Sequence, residues 1–131
     1  LSWWQQQPHK GALVGSAVTI ALMLPRPRLY DRINQRFDHM LMGGAIDEVS
    51  RLMARQLDPS LPLMKALGVA PLAAFLRGDI PKDDATCIAK RDSRRYAKRQ
   101  ITWIRNNFNA QITVEKKYSE SLYKKIFSLI R

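Results

Sequence analysis

The chain has 131 residues, of which 22 are Lys or Arg and 11 are Asp or Glu, and its formal net charge is +11. A charge this far from zero indicates a nucleic-acid or acidic-membrane partner, and the 46% hydrophobic content is enough for the core of one domain. The single cysteine, Cys87, excludes an internal disulfide, and the sequence has no zinc-ligand spacing. We expect Cys87 to be a buried small apolar residue in a protein of a reducing compartment.

The first predicted element is a strand within the apolar segment 12–24. This segment is too short to span a membrane, and Pro25 and Pro27 close it without the small-residue cleavage site of a signal peptide. Residues 18–24 are apolar on both alternating faces, as in a strand buried on both sides of a parallel sheet. The only other clear strand candidate is 110–114. One doubly buried strand without the rest of its sheet indicates part of a larger α/β protein.

Helices fill most of the remaining sequence. After Pro27, apolar residues recur at helical spacing until Gly43 and Gly44 stop the run: Leu29, Ile33, Phe37, Met40 and Leu41. Another face of this predicted helix carries arginines at every fourth position: Arg28, Arg32 and Arg36.

Shorter helices are predicted further along the chain. A second helix has its apolar stripe at Ile46, Val49, Leu52 and Met53. Residues 58–62 form a loop, and a helix beginning at 63–67 is interrupted by Gly68 and Pro71 before it continues through 72–76. A last amphipathic helix with Leu122, Ile126, Phe127 and Ile130 follows Ser119 or Ser121 as its cap. The acidic pairs Asp47–Glu48 and Asp83–Asp84 complement helix dipoles in first turns rather than serve as acid–base pairs.

The stretch 90–105, KRDSRRYAKRQITWIR, contains seven Lys or Arg residues among sixteen. Wound as a helix, it places all seven within half of its circumference. The other half carries Tyr96, Ala97, Trp103 and Ile104, which we expect to pack on the core. A one-sided cationic stripe is suited to phosphates, and the alternative is a solvated surface face.

Catalytic motifs are absent from the printed sequence. It contains no GxxxxGK[ST] phosphate loop, no Ser/His/Asp set and no metal-ligand cluster. The residues alone therefore predict a mostly α fold with one or two strands. They also predict that the chain is an RNA- or DNA-binding fragment of an α/β protein.

Four segments carry a resemblance to a known family. LYDRINQRFDHML, GGAIDEVSRLM, LPLMKALGV and YAKRQITWIR, in this order and spacing, resemble the C-terminal part of bacterial tRNA dimethylallyltransferase, also called tRNA isopentenyl-diphosphate transferase. The resemblance covers residues 1–106, which would be the C-terminal part of the catalytic domain, and residues 107–131 fit as a variable strand-and-helix tail.

The resemblance implies a cytoplasmic enzyme of tRNA processing with a nucleotide-binding fold related to P-loop NTPases. This family transfers a dimethylallyl group from dimethylallyl diphosphate to N6 of the adenosine on the 3′ side of the anticodon. In the family, a Gly-rich loop with a Lys holds the diphosphate with Mg²⁺, and an aspartate accepts the amine proton. This sequence matches neither the Gly-rich loop nor the aspartate, so we expect the chain alone to be inactive. We expect Mg²⁺ to be bound mainly by the half of the enzyme that this sequence lacks. The complete enzyme is expected to be a monomer that binds the tRNA anticodon stem-loop and no membrane.

The resemblance also implies site residues. Arg36, in RINQRF, matches the family arginine that contacts the diphosphate, whereas its residue type alone allows a surface pair with Asp31 or Asp38. The matched tRNA-contacting loop is Lys65, Ala66, Leu67 and Gly68, followed by Val69 and Ala70 where the family often has an aromatic and a basic residue. The predicted tRNA-contacting helix residues are Arg91, Arg94, Arg95, Lys98, Arg99, Gln100, Ile101, Thr102, Trp103, Ile104 and Arg105.

Two other functional classes remain open from the sequence. One is a stand-alone basic helical module that binds RNA or DNA without catalysis. The other is a peripheral protein on anionic membranes, which would need bulky apolar residues opposite the charged stripe. The small residues Ala89, Ser93 and Ala97 on that side favour helix packing instead.

Overall fold

The computed structural model describes residues 18–115 and 119–129, and most of them are helical. The elements in chain order are β1 (Ile20–Leu22), α1 (Arg26–Met42), α2 (Ala45–Ala54), a short 3₁₀ helix (Pro62–Lys65), α3 (Val69–Arg77), α4 (Lys82–Asn107), β2 (Ile112–Val114) and α5 (Glu120–Leu129). The prediction of a mostly α chain with two strands is confirmed. The predicted strand residues 12–17 and Ile130 of the last helix lie outside the described residues.

Helix boundaries follow the sequence signals. Prolines lie at the start of α1, and Gly43 and Gly44 separate α1 from α2, with Gly44 at a left-handed φ of +94°. Acidic pairs occupy the first turns of α2 and α4, as predicted. At the C-terminus, the backbone N–H of Leu122 donates to Oγ of Ser119 over 3.2 Å, so Ser119 is the cap. The predicted helix at 63–67 is only the 3₁₀ helix, and α3 begins after Gly68 with Pro71 in its first turn.

The core lies where α1, α2, α3 and α4 meet. Its buried residues are Phe37, Ala45, Val49, Leu72, Ala73 and Ala89. Phe37 is the largest of these side chains, and its ring lies beside Gly68, where an added Cβ would be 3.2 Å from Cε2 of Phe37. This apolar contact fixes α1 against the loop that precedes α3.

Helix α4 packs through small residues. Its buried positions recur at every fourth residue: Ala85, Ala89, Ser93, Ala97 and Ile101. The Ser93 hydroxyl is satisfied within the helix, because it donates to the carbonyl oxygen of Ala89 over 2.9 Å. Short side chains let the backbone of α4 approach its neighbours closely.

This buried row corrects the prediction that Tyr96 and Trp103 belong to the core. Their exposed fractions are 46% and 60%. A row of every fourth residue shifts by about 40° per step around a helix, because four residues turn slightly more than one revolution. By the second half of α4, the buried row has therefore moved away from these aromatic residues and toward the cations. Cys87, predicted to be buried, is also exposed.

The two strands form a parallel pair with Ile20 opposite Ile112 and Leu22 opposite Val114. Thr19 extends this link, since its hydroxyl donates to the carbonyl oxygen of Asn109 over 2.9 Å. The segment 18–24 contains a strand of a parallel sheet, as its pattern indicates, and its neighbour is the other strand candidate at 110–114. The expectation of burial on both faces is wrong for this structure. The sheet in the described residues has only two strands, and in β1 Ala21 is buried whereas Leu22 is 45% exposed.

We expect Gly68→Ala to destabilise the fold more than its matched control, Gly78→Ala. Both glycines have left-handed backbones, with φ of +96° and +82°, so each alanine costs about 1–2 kcal/mol in backbone strain. Only at position 68 would the new Cβ lie 3.2 Å from Cε2 of Phe37, whereas at position 78 it meets nothing within 4 Å. Urea unfolding followed by circular dichroism measures the difference. Equal losses of unfolding free energy would contradict the role given to the Phe37–Gly68 contact.

Candidate nucleic-acid interface

Helices α1 and α4 are joined by two polar contacts. Lys90 forms an ion pair with Asp38 at 2.5 Å, and Nη1 of Arg94 donates to Oδ1 of Asn34 over 2.7 Å. The order of these partners along the two helices shows that α1 and α4 run antiparallel. Two of the seven cations in the predicted stripe, Lys90 and Arg94, therefore contact α1 instead of facing an open surface.

The other cations of α4 are exposed. Arg91 and Arg95 share the carboxylate of Asp92 at 3.2 and 3.9 Å. Lys98, Arg99 and Arg105 are exposed and form no ion pair with a carboxylate in the part of the chain that the structure describes. The guanidinium carbon of Arg99 lies 5.5 Å from the ring centre of Tyr96, a cation–π distance. The predicted phosphate-binding surface is thus the C-terminal half of α4.

An open groove of about 670 Å³ lies between α1 and α4. The residues that line it are Leu29, Arg32, Ile33, Gln35, Arg36, His39, Leu67, Ser93, Tyr96, Ala97 and Gln100. Its lining includes two guanidinium groups and no carboxylate. Such a groove attracts anions and offers amide and phenol groups for hydrogen bonds.

Arg36 is exposed and lines this groove. Neither surface pair considered for it is present in the described residues, because Asp38 pairs with Lys90 and Asp31 forms no ion pair with Arg36. The guanidinium is therefore available to an anion that enters the groove. Arg32, one turn earlier on α1, lines the same groove.

The predicted tRNA-contacting loop reaches the groove through one residue. Lys65, Ala66 and Leu67 are exposed, and Leu67 lines the groove. Gly68 is buried against Phe37, so it can set the path of the loop but presents no surface of its own. The fold thus places this loop beside Arg36.

The predicted helix residues divide into three groups. Gln100 lines the groove. A second group is exposed elsewhere on α4 and consists of Arg91, Arg95, Lys98, Arg99, Thr102, Trp103 and Arg105. Ile101 is buried and Ile104 is partly buried, and Arg94 is turned toward Asn34. These three side chains are therefore less accessible to a ligand than the motif suggests.

Sequence reasoning missed several groove residues. The sequence pattern could have indicated Arg32, because it belongs to the arginines at every fourth position of α1. No sequence pattern indicates His39 or Tyr96 as groove residues, since only the packing of α4 on α1 brings them to the groove.

The described residues contain no group of three or more His, Cys, Asp or Glu side chains that could hold a metal ion. Magnesium ions prefer oxygen ligands, and the charged side chains of the groove are arginines. The residues present therefore do not fit Mg²⁺. As to membranes, every helix within residues 18–115 and 119–129 is too short or too polar for a bilayer crossing.

Comparison with known proteins connects this arrangement to one family. The sequence model of the family described as IPP transferase matches residues 1–107. The chain is 64% identical over 81 residues to the tRNA dimethylallyltransferase of Maricaulis maris, covering 62% of this chain and 26% of the relative. It is 43% identical over 131 residues to the tRNA dimethylallyltransferase of Paramagnetospirillum magneticum, covering 100% of this chain and 42% of the relative.

Solved structures agree with the sequence comparison. The tRNA delta(2)-isopentenylpyrophosphate transferase of Staphylococcus epidermidis superimposes with a TM-score of 0.76 at 32% identity, over 86% of this chain and 37% of that protein. The full-length tRNA isopentenylpyrophosphate transferase of Bacillus halodurans gives a TM-score of 0.74 at 36% identity, over 90% of this chain and 40% of that protein. In each of these four comparisons, the chain spans less than half the length of the protein it matches.

We expect Lys98→Ala to change RNA binding and Lys90→Ala to change the stability of the fold. Lys98 is exposed, so its loss should weaken binding to an RNA hairpin and flatten the plot of log affinity against log salt by about one phosphate contact, with little change in stability. Lys90 is held by Asp38, so its loss should instead lower the free energy of unfolding by about 1 kcal/mol and leave the salt slope unchanged. Fluorescence anisotropy at several salt concentrations and urea unfolding measure both. A flatter salt slope for Lys90→Ala alone would contradict this division.

Proposed function

The chain belongs to the IPP transferase family, and on that basis we propose that it acts in tRNA modification as the tRNA-binding and diphosphate-contacting part of a tRNA dimethylallyltransferase. The proposed reaction joins the dimethylallyl group of dimethylallyl diphosphate to N6 of the adenosine on the 3′ side of the anticodon. One C–N bond forms, one C–O bond breaks, and diphosphate leaves. The relatives in Maricaulis maris and Paramagnetospirillum magneticum are both tRNA dimethylallyltransferases, which supports the reaction class.

The α1–α4 groove is the observation that carries this proposal. It brings Arg36, the residue proposed to contact the diphosphate, beside Leu67 and Gln100, which belong to the two proposed tRNA-contacting segments. A transferase must hold its two substrates within bonding distance of each other. One groove lined by both kinds of residue meets that requirement.

Arg36 has a defined role in the proposed reaction. Negative charge accumulates on the diphosphate as the C–O bond breaks, and a guanidinium placed beforehand stabilises that charge. Because its side chain is free of the nearby carboxylates, it need not break an ion pair to bind. The groove has no carboxylate to accept the amine proton, so we propose that this base lies outside the described residues.

Recognition of the RNA is proposed to depend on its shape and phosphates. The exposed cations Lys98, Arg99 and Arg105 suit the backbone of an anticodon stem-loop. The acceptor base must leave its stack before its amine can react, and an open groove gives it a place to enter. A stand-alone binding module without catalysis is not favoured by the comparisons.

The division of the chain is also a proposal. We assign residues 1–106 to the catalytic domain and 107–131 to a variable tail, which the end of the family match at residue 107 supports. We further propose that the complete enzyme acts as a cytoplasmic monomer and uses Mg²⁺ held by residues other than those described here.

A chimeric enzyme tests the proposed function. The segment of the Paramagnetospirillum magneticum protein that matches this chain can be replaced by the chain itself, since the match covers 100% of it. We expect the chimera to transfer labelled dimethylallyl groups to tRNA, and we expect the chain alone to show no transfer because its sequence has no phosphate loop. A folded chimera that binds tRNA but transfers nothing, or turnover that follows the chain alone through purification, would contradict the proposal.

Within this chimera, Arg36→Ala should slow transfer and weaken diphosphate binding. The expected loss is about 2–4 kcal/mol at the transition state, with tRNA affinity nearly unchanged. Arg28→Ala is the matched control, because Arg28 is an exposed arginine of the same helix that does not line the groove. Wild-type kinetics for Arg36→Ala, or equal losses for both variants, would refute the assignment of Arg36.

A further inference from the structure

The two strands are attached closely to the two helices that form the groove. β1 ends at Leu22 and α1 begins at Arg26, and between them the backbone N–H of Met23 still donates to the carbonyl oxygen of Val114 over 2.9 Å. Proline at position 25 restricts the backbone just before α1. A shift of β1 is therefore carried into the first turns of α1.

Reciprocal hydrogen bonds close the start of the strand pair, and we call their residues, Thr19, Asn109 and Gln111, the Thr19 latch. The hydroxyl of Thr19 donates to the carbonyl oxygen of Asn109 over 2.9 Å and accepts from the backbone N–H of Gln111 over 3.2 Å. In return, the backbone N–H of Thr19 donates to Oε1 of Gln111 over 3.1 Å. Because α4 ends at Asn107, the latch ties the end of α4 to the strand that leads into α1.

One part of the groove lies between this latch and the polar contacts of the helices. Those contacts, at Asn34 and Asp38 of α1, are the only hydrogen bond and ion pair that join α1 to α4 within the part of the chain that the structure describes. Apolar packing is not directional and resists sliding less than directed hydrogen bonds do. The groove residues on the strand side of these contacts are Leu29, Arg32, Ile33, Tyr96, Ala97 and Gln100.

We propose that the Thr19 latch positions the two sides of the groove for the transfer reaction. Without it, α4 would pivot about its polar contacts with α1, and Gln100 would move away from Arg36. The inference rests on the proposed function, which brings the diphosphate to Arg36 and an RNA nucleotide to Gln100. A displacement of about 1 Å between reacting groups can lower a rate by about 100-fold. The family match ends at residue 107, so this role belongs to residues beyond that match.

Transfer kinetics of the chimera, measured well below its melting temperature, test this role. Thr19→Val keeps the shape of the side chain without its hydroxyl, and it should lower kcat by about 10-fold to 100-fold. The dissociation constants of dimethylallyl diphosphate and of tRNA should each change less than about 2-fold, because each substrate keeps its own contacts. Thr19→Ser retains the hydroxyl and should restore kcat. Thr113→Val is the matched control, since the exposed Thr113 hydroxyl of β2 forms no hydrogen bond among the described residues.

A distance measurement tests the latch without any substrate. Spin labels at Arg28→Cys on α1 and Asn106→Cys on α4, with Cys87→Ser to remove the exposed native thiol, report the separation of the two helices. Double electron–electron resonance on the 131-residue chain should give one narrow distance distribution while the latch is intact. Thr19→Val should lengthen or broaden that distribution, and Thr113→Val should leave it unchanged.

Four results would overturn the inference: wild-type kcat for Thr19→Val, a loss that lies in the affinity for either substrate, no recovery with Thr19→Ser, or an unchanged distance distribution. If Thr19→Val does not fold, Gln111→Leu takes its place under the same criteria, with Gln111→Glu as the variant that keeps the accepting oxygen. A folded chimera without any transfer counts against the proposed function instead. The distance measurement then still decides on the latch, because it needs no substrate.

Discussion

The close packing of α4 through its row of small residues is the constraint on which the rest of the structure depends. Ala85 and Ala89 are completely buried, and Ala97 continues the row to the edge of the groove. Larger side chains at these positions would push α4 away from its neighbours. Because the helices approach so closely, α1 and α4 can exchange polar contacts and enclose a groove between them. The proposed site is therefore a consequence of helix packing rather than of one dedicated loop.

The same helix has both a structural and a functional set of cations. Lys90 and Arg94 are near the buried row, and they contact Asp38 and Asn34 of α1. Further along, Lys98, Arg99 and Arg105 are exposed, so their repulsion is relieved only by solvent, salt or a bound polyanion. Stability and RNA affinity should thus respond to different members of one basic sequence.

Local signals in the sequence were enough to predict most of the α-helices and a cap at Ser119 or Ser121, of which the structure shows Ser119, because glycine, proline and capping residues act on the backbone nearest to them. The burial of α4 was predicted less well. Choosing the bulky residues assigned Tyr96 and Trp103 to the core. The small residues at every fourth position, Ala85, Ala89, Ser93 and Ala97, were the better indication of the buried face. Arg36 and Gln100 were chosen by resemblance, but their meeting in one groove could not be predicted, because it depends on how two distant helices cross.

A structure of the chain with an RNA hairpin and diphosphate bound would test most directly the claim that the α1–α4 groove is where the two substrates meet. The account predicts the diphosphate within hydrogen-bond distance of the Arg36 guanidinium and an unpaired nucleotide beside Gln100. It also predicts the phosphates of the RNA along the C-terminal half of α4. RNA bound across α2 and α3, with the groove free of both ligands, would contradict it.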